Sequence, residues 1–319
     1  MTMYDVSIII VSYNIKDLLN RCLESVFAAS IGFQNEVVVV ENASQDGSKE
    51  FLKEKWHQIK VLYNDENNGY SPACNQGLRA STGRYKLLLN PDAFLIKDGL
   101  KKMVDFMDNN MDVCAVGPRV LNSDGSIQRQ CARKEPTFIS NLLYFSGIFN
   151  FIPLDRCWNY LNRFESNEFY HSINDVQVLS GACMLIRSKA IESIGLLNEQ
   201  LILAGDDVEW SIRARKHGYR LVFFPEAEVV HIGGQSRKFT AGLSQEKTVE
   251  SLLRYIEMSY RYPLSSCLKL AVLNNLVISM FTHTILFLLF PNKNRRWSQL
   301  KTQAKLLVTA FRSAFRTKT

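Results

Sequence analysis

No two of the seven cysteines stand in a C-x-x-C spacing, and the chain contains neither G-x-G-x-x-G nor G-x-x-x-x-G-K-[ST]. The first absence leaves no zinc knuckle and no disulfide framework, so the thiols read as reduced, mostly buried groups of a cytosolic protein. The second removes motif support for dinucleotide and P-loop chemistry. There is no internal repeat and no low-complexity segment. No basic segment precedes the first apolar run, VSIIIVS, and no cleavage site follows it, so a signal peptide is not expected. Acidic residues become scarce late in the chain, and much of the net charge of +7 lies after Arg254. That excess points to an anionic partner for the tail, a membrane surface or nucleic acid.

What remains is a globular composition, 46% hydrophobic and 22% charged over 319 residues, enough for one large core and an appendage. Residues 6–12 (VSIIIVS), 36–40 (EVVVV) and the leucines 87–89 of YKLLLNPDA are apolar runs without polar alternation, as in strands buried on both faces of a parallel sheet. A fourth strand is expected at 60–63. Residues 16–27 show helical spacing at Leu18, Leu19, Cys22, Leu23 and Val26, and further helices are expected up to Trp56 and over 72–80. Strand and helix alternating in this way is the pattern of a doubly wound parallel sheet.

Beyond it, a helix is expected over 98–111, a short strand over 115–117 and a turn at 123–126. Residues 138–169 read as an irregular, aromatic insertion over the site. A strand over 176–186 breaks at Ser180-Gly181-Ala182, where small residues admit a ligand or a second backbone. A helix starts with Asp206 or Asp207 as its N-cap and runs to His217. Separate strands are expected at 221–224 and 229–231.

Five residues carry the candidate chemistry. Pro91 has no N–H for a ladder, so the leucine strand ends there and Asp92 stands just past its carboxyl end, where open α/β sheets bind ligands. Glu41 ends its strand at the same edge and is placed to accept hydrogen bonds from a base or ribose. Taken singly, Asp92 is equally a turn residue, Asp206 and Asp207 are ordinary helix-start carboxylates, and His231 is a core histidine. Together, a carboxylate and an imidazole suit Mg2+ or Mn2+, and a further carboxylate suits proton removal from an attacking hydroxyl.

The segments VSIIIVSYN, VVVVENASQDGS, NDENNGYSPACNQGL, LLLNPDA, GACMLIRS, GDDVEWSIRARKHGY and VVHIGGQS resemble, in order and spacing over residues 6–236, a family 2 glycosyltransferase of the GT-A fold. NPDA, together with GPRVLNSDGSIQ, is most similar to the rhamnosyltransferase-like branch that acts on lipid-linked acceptors. The resemblance implies a Rossmann-like, mostly parallel sheet with helices on both faces. It implies a nucleotide-sugar pocket lined by Tyr13, Glu41, Asn68, Gly69, Asn75, Asn90 and Asp92. Asp92 and His231 become metal ligands for Mn2+ or Mg2+, Asp207 the catalytic base and Asp206 its orienting neighbour. Gly181, Ala182 and Trp210 fall to the acceptor. Two positions depart from the family pattern: Asn90 opens the DxD-like motif, and Glu41 stands where aspartate is commoner.

Residues 270–290 carry no charge, counting His283 as neutral, yet a polar stripe at Asn275, Ser279 and Thr282 or His283 favours a helix in the interface over a span. The last segment places Trp297, Leu300, Ala304, Leu307, Val308, Phe311 and Phe315 on one face and basic residues on the others, as for attachment to anionic lipid. The expected division is a catalytic domain over 1–245 and a helical membrane-associating region over 246–319. The expected activity is inverting transfer from a nucleotide-diphospho-sugar, dTDP-rhamnose first, to a glycan or polyprenyl-diphosphate-linked acceptor at the cytoplasmic face of the inner membrane. The expected attachment is peripheral or monotopic, without nucleic acid. Alternatives are another hexosyl donor such as UDP-galactofuranose, a nucleotidyltransferase, or a non-catalytic nucleotide-sugar binder.

Overall fold

The computed structural model describes residues 4–29, 34–147, 164–201, 205–233, 245–289 and 293–314. The chain divides into two compact units, residues 1–135 with 164–243, and residues 136–163 with 244–319. Residues 136–147, which precede residues 164–243 of the first unit in sequence, thus cluster with the C-terminal helices.

The apolar runs form the parallel half of the first unit's sheet. β1 (Val6–Ser12), β2 (Asn35–Glu41), β3 (Lys60–Tyr63) and β4 (Tyr85–Leu89) lie side by side in the order β3-β2-β1-β4, all parallel. Successive strand residues point to opposite faces. Ile8, Ile10, Val37, Val39, Leu87 and Leu89 therefore enter one core cluster, with Leu19, Leu23 and Val26 of α1 (Lys16–Ala29) and Leu52 of α2 (Ser48–Lys55). Ile9, Val11, Val40 and Leu88 enter the other, with Ala73, Cys74 and Leu78 of α3 (Tyr70–Ala80). Each Leu or Ile so buried contributes about 1.5–3 kcal/mol. α3 lies close on β1: a Cβ on Gly77 would stand 2.4 Å from Ile9 Cγ2.

The second half of this unit departs from a purely parallel plan. β5 (Ala93–Leu95), α4 (Gly99–Asn109), β6 (Val113–Leu121) and β7 (Ala132–Arg133) follow β4; the next helix, α5 (Phe138–Ser146), belongs to the second unit. After it come β8 (Asn174–Asp175), β9 (Val178–Leu179), β10 (Cys183–Arg187), α6 (Ser188–Ile194), α7 (Asp206–Lys216) and β11 (Arg220–His231). β10 inserts antiparallel between β4 and β6, and the main sheet runs β3-β2-β1-β4-β10-β6-β11-β5 with β8 on β11. The expected strand over 176–186 is two, β9 and β10, parted at residues 180–182. The expected pair over 221–231 is one strand, β11, with a register shift between Phe224 and Glu228.

In the second unit, residues 138–146 form helix α5 rather than irregular chain. Thr137 Oγ1 accepts from Ser140 N and Ser140 Oγ accepts from Thr137 N, a reciprocal capping box. Residues 148–163, 234–236 and Phe315 lie outside the described residues. α8 (Gln245–Ser259), α9 (Leu264–Leu289) and α10 (Lys293–Ala314) pack with α5 around Phe145, Leu253, Ile256, Leu268, Val272 and Ala310. α10 turns inward with Leu306 and Ala310, while Trp297, Val308 and Phe311 of the face expected to be apolar stay exposed. α9 is long and apolar enough to cross a membrane, and it leaves Leu270, Val277, Phe281, Ile285 and Leu288 exposed along one stripe.

Candidate active site

The turn after β4 is sewn to the end of β11 by the short strand β5, which the sequence reading did not find. β5 doubles back antiparallel on β11, pairing Ala93 with His231, Phe94 with Val230 and Leu95 with Val229, and Ile232 N donates to Asp92 O at 3.0 Å. Register alone thus brings residues 92 and 231 together across 139 positions. His231 Nε2 lies 3.2 Å from Asp92 Oδ1 and 3.3 Å from Asn90 Nδ2. His231 Nδ1 lies 2.9 Å from Gln128 Oε1.

Asp92 is 3% exposed, and its Oδ2 has no hydrogen-bond partner. An unpaired carboxylate oxygen in that position is costly unless a cation meets it. Oxygen and imidazole nitrogen donors suit Mn2+ or Mg2+. Among the described residues no three His, Cys, Asp or Glu side chains converge. The chain therefore offers Asp92 and His231, and the remaining positions would fall to diphosphate oxygens and water.

The acid pair opens α7. The N-cap is not an aspartate but Gly205, in the left-handed region at φ 86°, which places both Asp206 and Asp207 in the first turn. Asp207, half-buried, accepts from Gly181 N through Oδ2 at 3.3 Å and from Val208 N through Oδ1 at 2.8 Å. Tyr70 Oη donates to Gly181 O at 3.3 Å, and Ala182 O accepts from Asn90 N at 3.0 Å. The small-residue break at 180–182 is thus the bridge between the Asp207 carboxylate and the Asn90–Asp92 turn.

Asp206 is sealed below the pair. Ser71 Oγ lies 3.3 Å from its Oδ2 and 2.8 Å from Leu201 O. Loss of hydration, then repulsion from Asp207, pushes its pKa up to about 7. The Ser71 hydroxyl donates between the Leu201 carbonyl and Asp206 Oδ2, and its bond to the carboxylate opposes part of that rise.

On the other side of the edge, Glu41 is 1% exposed and its Oε1 accepts from Ser44 N at 2.7 Å. Beside it stands a residue that the motif reading passed over. Asn42 donates to Asn67 Oδ1 at 2.9 Å and accepts from Asn64 Nδ2 at 2.9 Å and Asn68 N at 3.2 Å, so it shapes the loop carrying Asn68 and Gly69. Tyr13 is 9% exposed at the end of β1.

Two expected contacts are not at the edge. Asn75 is buried, donating to Leu197 O and Glu199 Oε1 and accepting from Leu197 N, which uses its amide inside the fold. Trp210 is 1% exposed and its indole N–H donates to Gly195 O at 3.0 Å, so it is a core residue rather than an acceptor platform. Beside His231 opens a cavity of about 700 Å³, lined among others by Asn122, Gln128, Gln130, Phe164 and Ser180.

These features fit a glycosyltransferase of the GT-A fold: a mostly parallel sheet with carboxylates and an imidazole at one edge. Comparison with known proteins agrees. The family described as "Glycosyl transferase family 2" matches residues 7–195, and "Glycosyl transferase family group 2" matches residues 160–293. The chain belongs to glycosyltransferase family 2 and is a glycosyltransferase. It is 25% identical over 235 residues to the low-salt glycan biosynthesis hexosyltransferase Agl10 of Haloferax volcanii, covering 71% of this chain and 67% of that one. It is 27% identical over 221 residues to an N-acetylglucosaminyl-diphospho-decaprenol L-rhamnosyltransferase of Mycobacterium tuberculosis, covering 64% and 70%. Its fold is similar to that of a mannosyltransferase from Pyrobaculum calidifontis solved with GDP-Man and Mn2+, at TM-score 0.54 and 16% identity, over 100% of this chain and 89% of that one.

Proposed function

We propose that the chain is a metal-dependent inverting glycosyltransferase that extends a lipid-linked or polysaccharide acceptor in cell-surface glycan synthesis, with dTDP-rhamnose as donor. The observation that carries this reading is the buried Asp92–His231 pair with its unpartnered oxygen, joined through residues 180–182 to Asp207. The rhamnosyl donor and prenyl-linked acceptor are supported by the relative named for that chemistry.

Asp92 and His231 would hold the cation, which when bound would supply positive charge against the departing nucleotide diphosphate. Glu41, Tyr13 and the Asn42-shaped loop with Asn68 and Gly69 receive the nucleoside. Asp207 takes the proton of the acceptor hydroxyl as that oxygen attacks the anomeric carbon from the side opposite the leaving group. One displacement inverts the anomeric configuration. Asp206, with its pKa raised by burial and by Asp207, carries less negative charge beside the base than an ordinary carboxylate. Gly181 and Ala182 border the acceptor, which the cavity beside His231 accommodates.

The second unit attaches to anionic lipid through α9 and α10. The exposed stripe on α9 and the Trp297–Lys301 pair on α10, with Lys301 Nζ 5.3 Å from the indole centroid, support this. The sole charge of α9, Lys269, is paired with Glu257.

Thermal stabilisation by a panel of nucleotide sugars with Mn2+ tests the donor, since selective binding raises apparent stability. dTDP-rhamnose should give the largest shift; a larger shift with UDP-galactofuranose replaces the sugar, and full transfer in EDTA contradicts the metal assignment.

A further inference from the structure

Gln128 holds His231 at two points. Its Nε2 donates to the His231 carbonyl oxygen at 2.6 Å, and its Oε1 lies 2.9 Å from the ring Nδ1. A carbonyl oxygen only accepts, so the amide nitrogen must be the group facing it. That turns Oε1 toward the ring, and Oε1 also only accepts. Nδ1 is therefore protonated, and in the neutral ring Nε2 presents its lone pair. Asn90 agrees independently, since its Nδ2, a donor, faces Nε2 at 3.3 Å.

Gln128 is itself fixed. It follows the 122–126 turn, in which Asn122 N donates to Ser126 O at 2.7 Å, and its own N–H donates to Val120 O at 2.8 Å. The turn thus sets the amide, and the amide sets the ring.

The opposite tautomer has a clear competitor. A proton on Nε2 would be donated to Asp92 Oδ1, 3.2 Å away. That closed pair would occupy one oxygen of the carboxylate and the nitrogen that a cation needs.

We propose that Gln128 is a positioning residue that keeps His231 in the Nδ1–H form, leaving Nε2 to a divalent cation instead of to Asp92. The inference rests on the metal reading above. Outer partners of a metal-bound histidine typically change metal affinity by about 10–100-fold when removed.

Two measurements on the full chain test it. The first is imidazole 15N NMR of metal-free protein. The wild type should show His231 as Nδ1–H, and Gln128→Met, which keeps the side chain's length without its hydrogen bonds, should shift it toward Nε2–H. The second is Mn2+ titration without donor, read from the free-ion EPR signal. Affinity should fall about 10–100-fold in Gln128→Met. An Nε2–H ring in the wild type overturns the inference. So does an unmoved ring with unchanged Mn2+ affinity in Gln128→Met, and in that case the metal reading stands. A wild-type chain that takes up no Mn2+ overturns the metal reading and this inference with it.

Discussion

At the residue scale, the site divides its two acids by environment. Asp207 accepts a backbone N–H at the open end of the pair, while Asp206 is shut in beneath it with Ser71. Asp207→Asn should lower transfer about 10²–10⁴-fold with donor and Mn2+ binding retained, measured by product formation and calorimetry; near-normal turnover would remove it from the base role. Asp206 has a folded pKa raised from 3.8 to about 7, so between those values the folded state binds the extra proton. Its contribution is full below the unfolded pKa and is lost as pH rises toward 7. Asp206→Asn should therefore flatten the decline of unfolding free energy between about pH 4 and 7, measured by urea titration; an unchanged slope would mean that Asp206 is ionised throughout. Asp92 and His231 were legible because each ends an apolar run abruptly. Gln128 was not, because an amide after a turn gives no signal until its two partners are known. Asn75 was misread although it follows Ser71 and Cys74 and precedes Leu78 on the buried face of α3, a spacing visible in the sequence.

At the element scale, β1 was read to the residue, since a continuous β-branched run bounded by polar turns leaves little freedom. Direction was another matter. An apolar run looks the same parallel or antiparallel, which is why the antiparallel β10 did not show. Three residues of β5 are too few to carry a periodicity, yet their pairing with β11 sets Asp92 and His231 side by side. On α10 the apolar residues occupy more than one face, and packing took Leu306 and Ala310 rather than Val308 and Phe311. The close contact of α3 on β1 gives a direct test. Gly77→Ala should cost about 1–3 kcal/mol through its clash with buried Ile9, read as a lower urea midpoint at unchanged slope. An unaltered midpoint would show that the helix can move off the strand freely.

At the scale of the whole molecule, the first unit holds every residue assigned to the reaction, and the second holds the exposed apolar stripe and the basic helix. The recruitment of 136–147 to the helical unit had no sequence counterpart, because a nine-residue aromatic helix far from the tail names no partner. Replacing Phe281 and Leu288 by serine should weaken binding to anionic vesicles on the order of tenfold or more while leaving transfer to a short soluble acceptor unchanged. Undiminished sedimentation with vesicles would move the attachment elsewhere. The central claim is that Asp92 and His231, coupled through residues 180–182 to Asp207, form one cation-holding cleft. Anomalous diffraction from crystals grown with Mn2+ and a nucleoside diphosphate measures this most directly. A manganese peak within coordination distance of both Asp92 and His231 is the predicted result; a peak elsewhere, or none at that pair with the nucleotide bound, contradicts it.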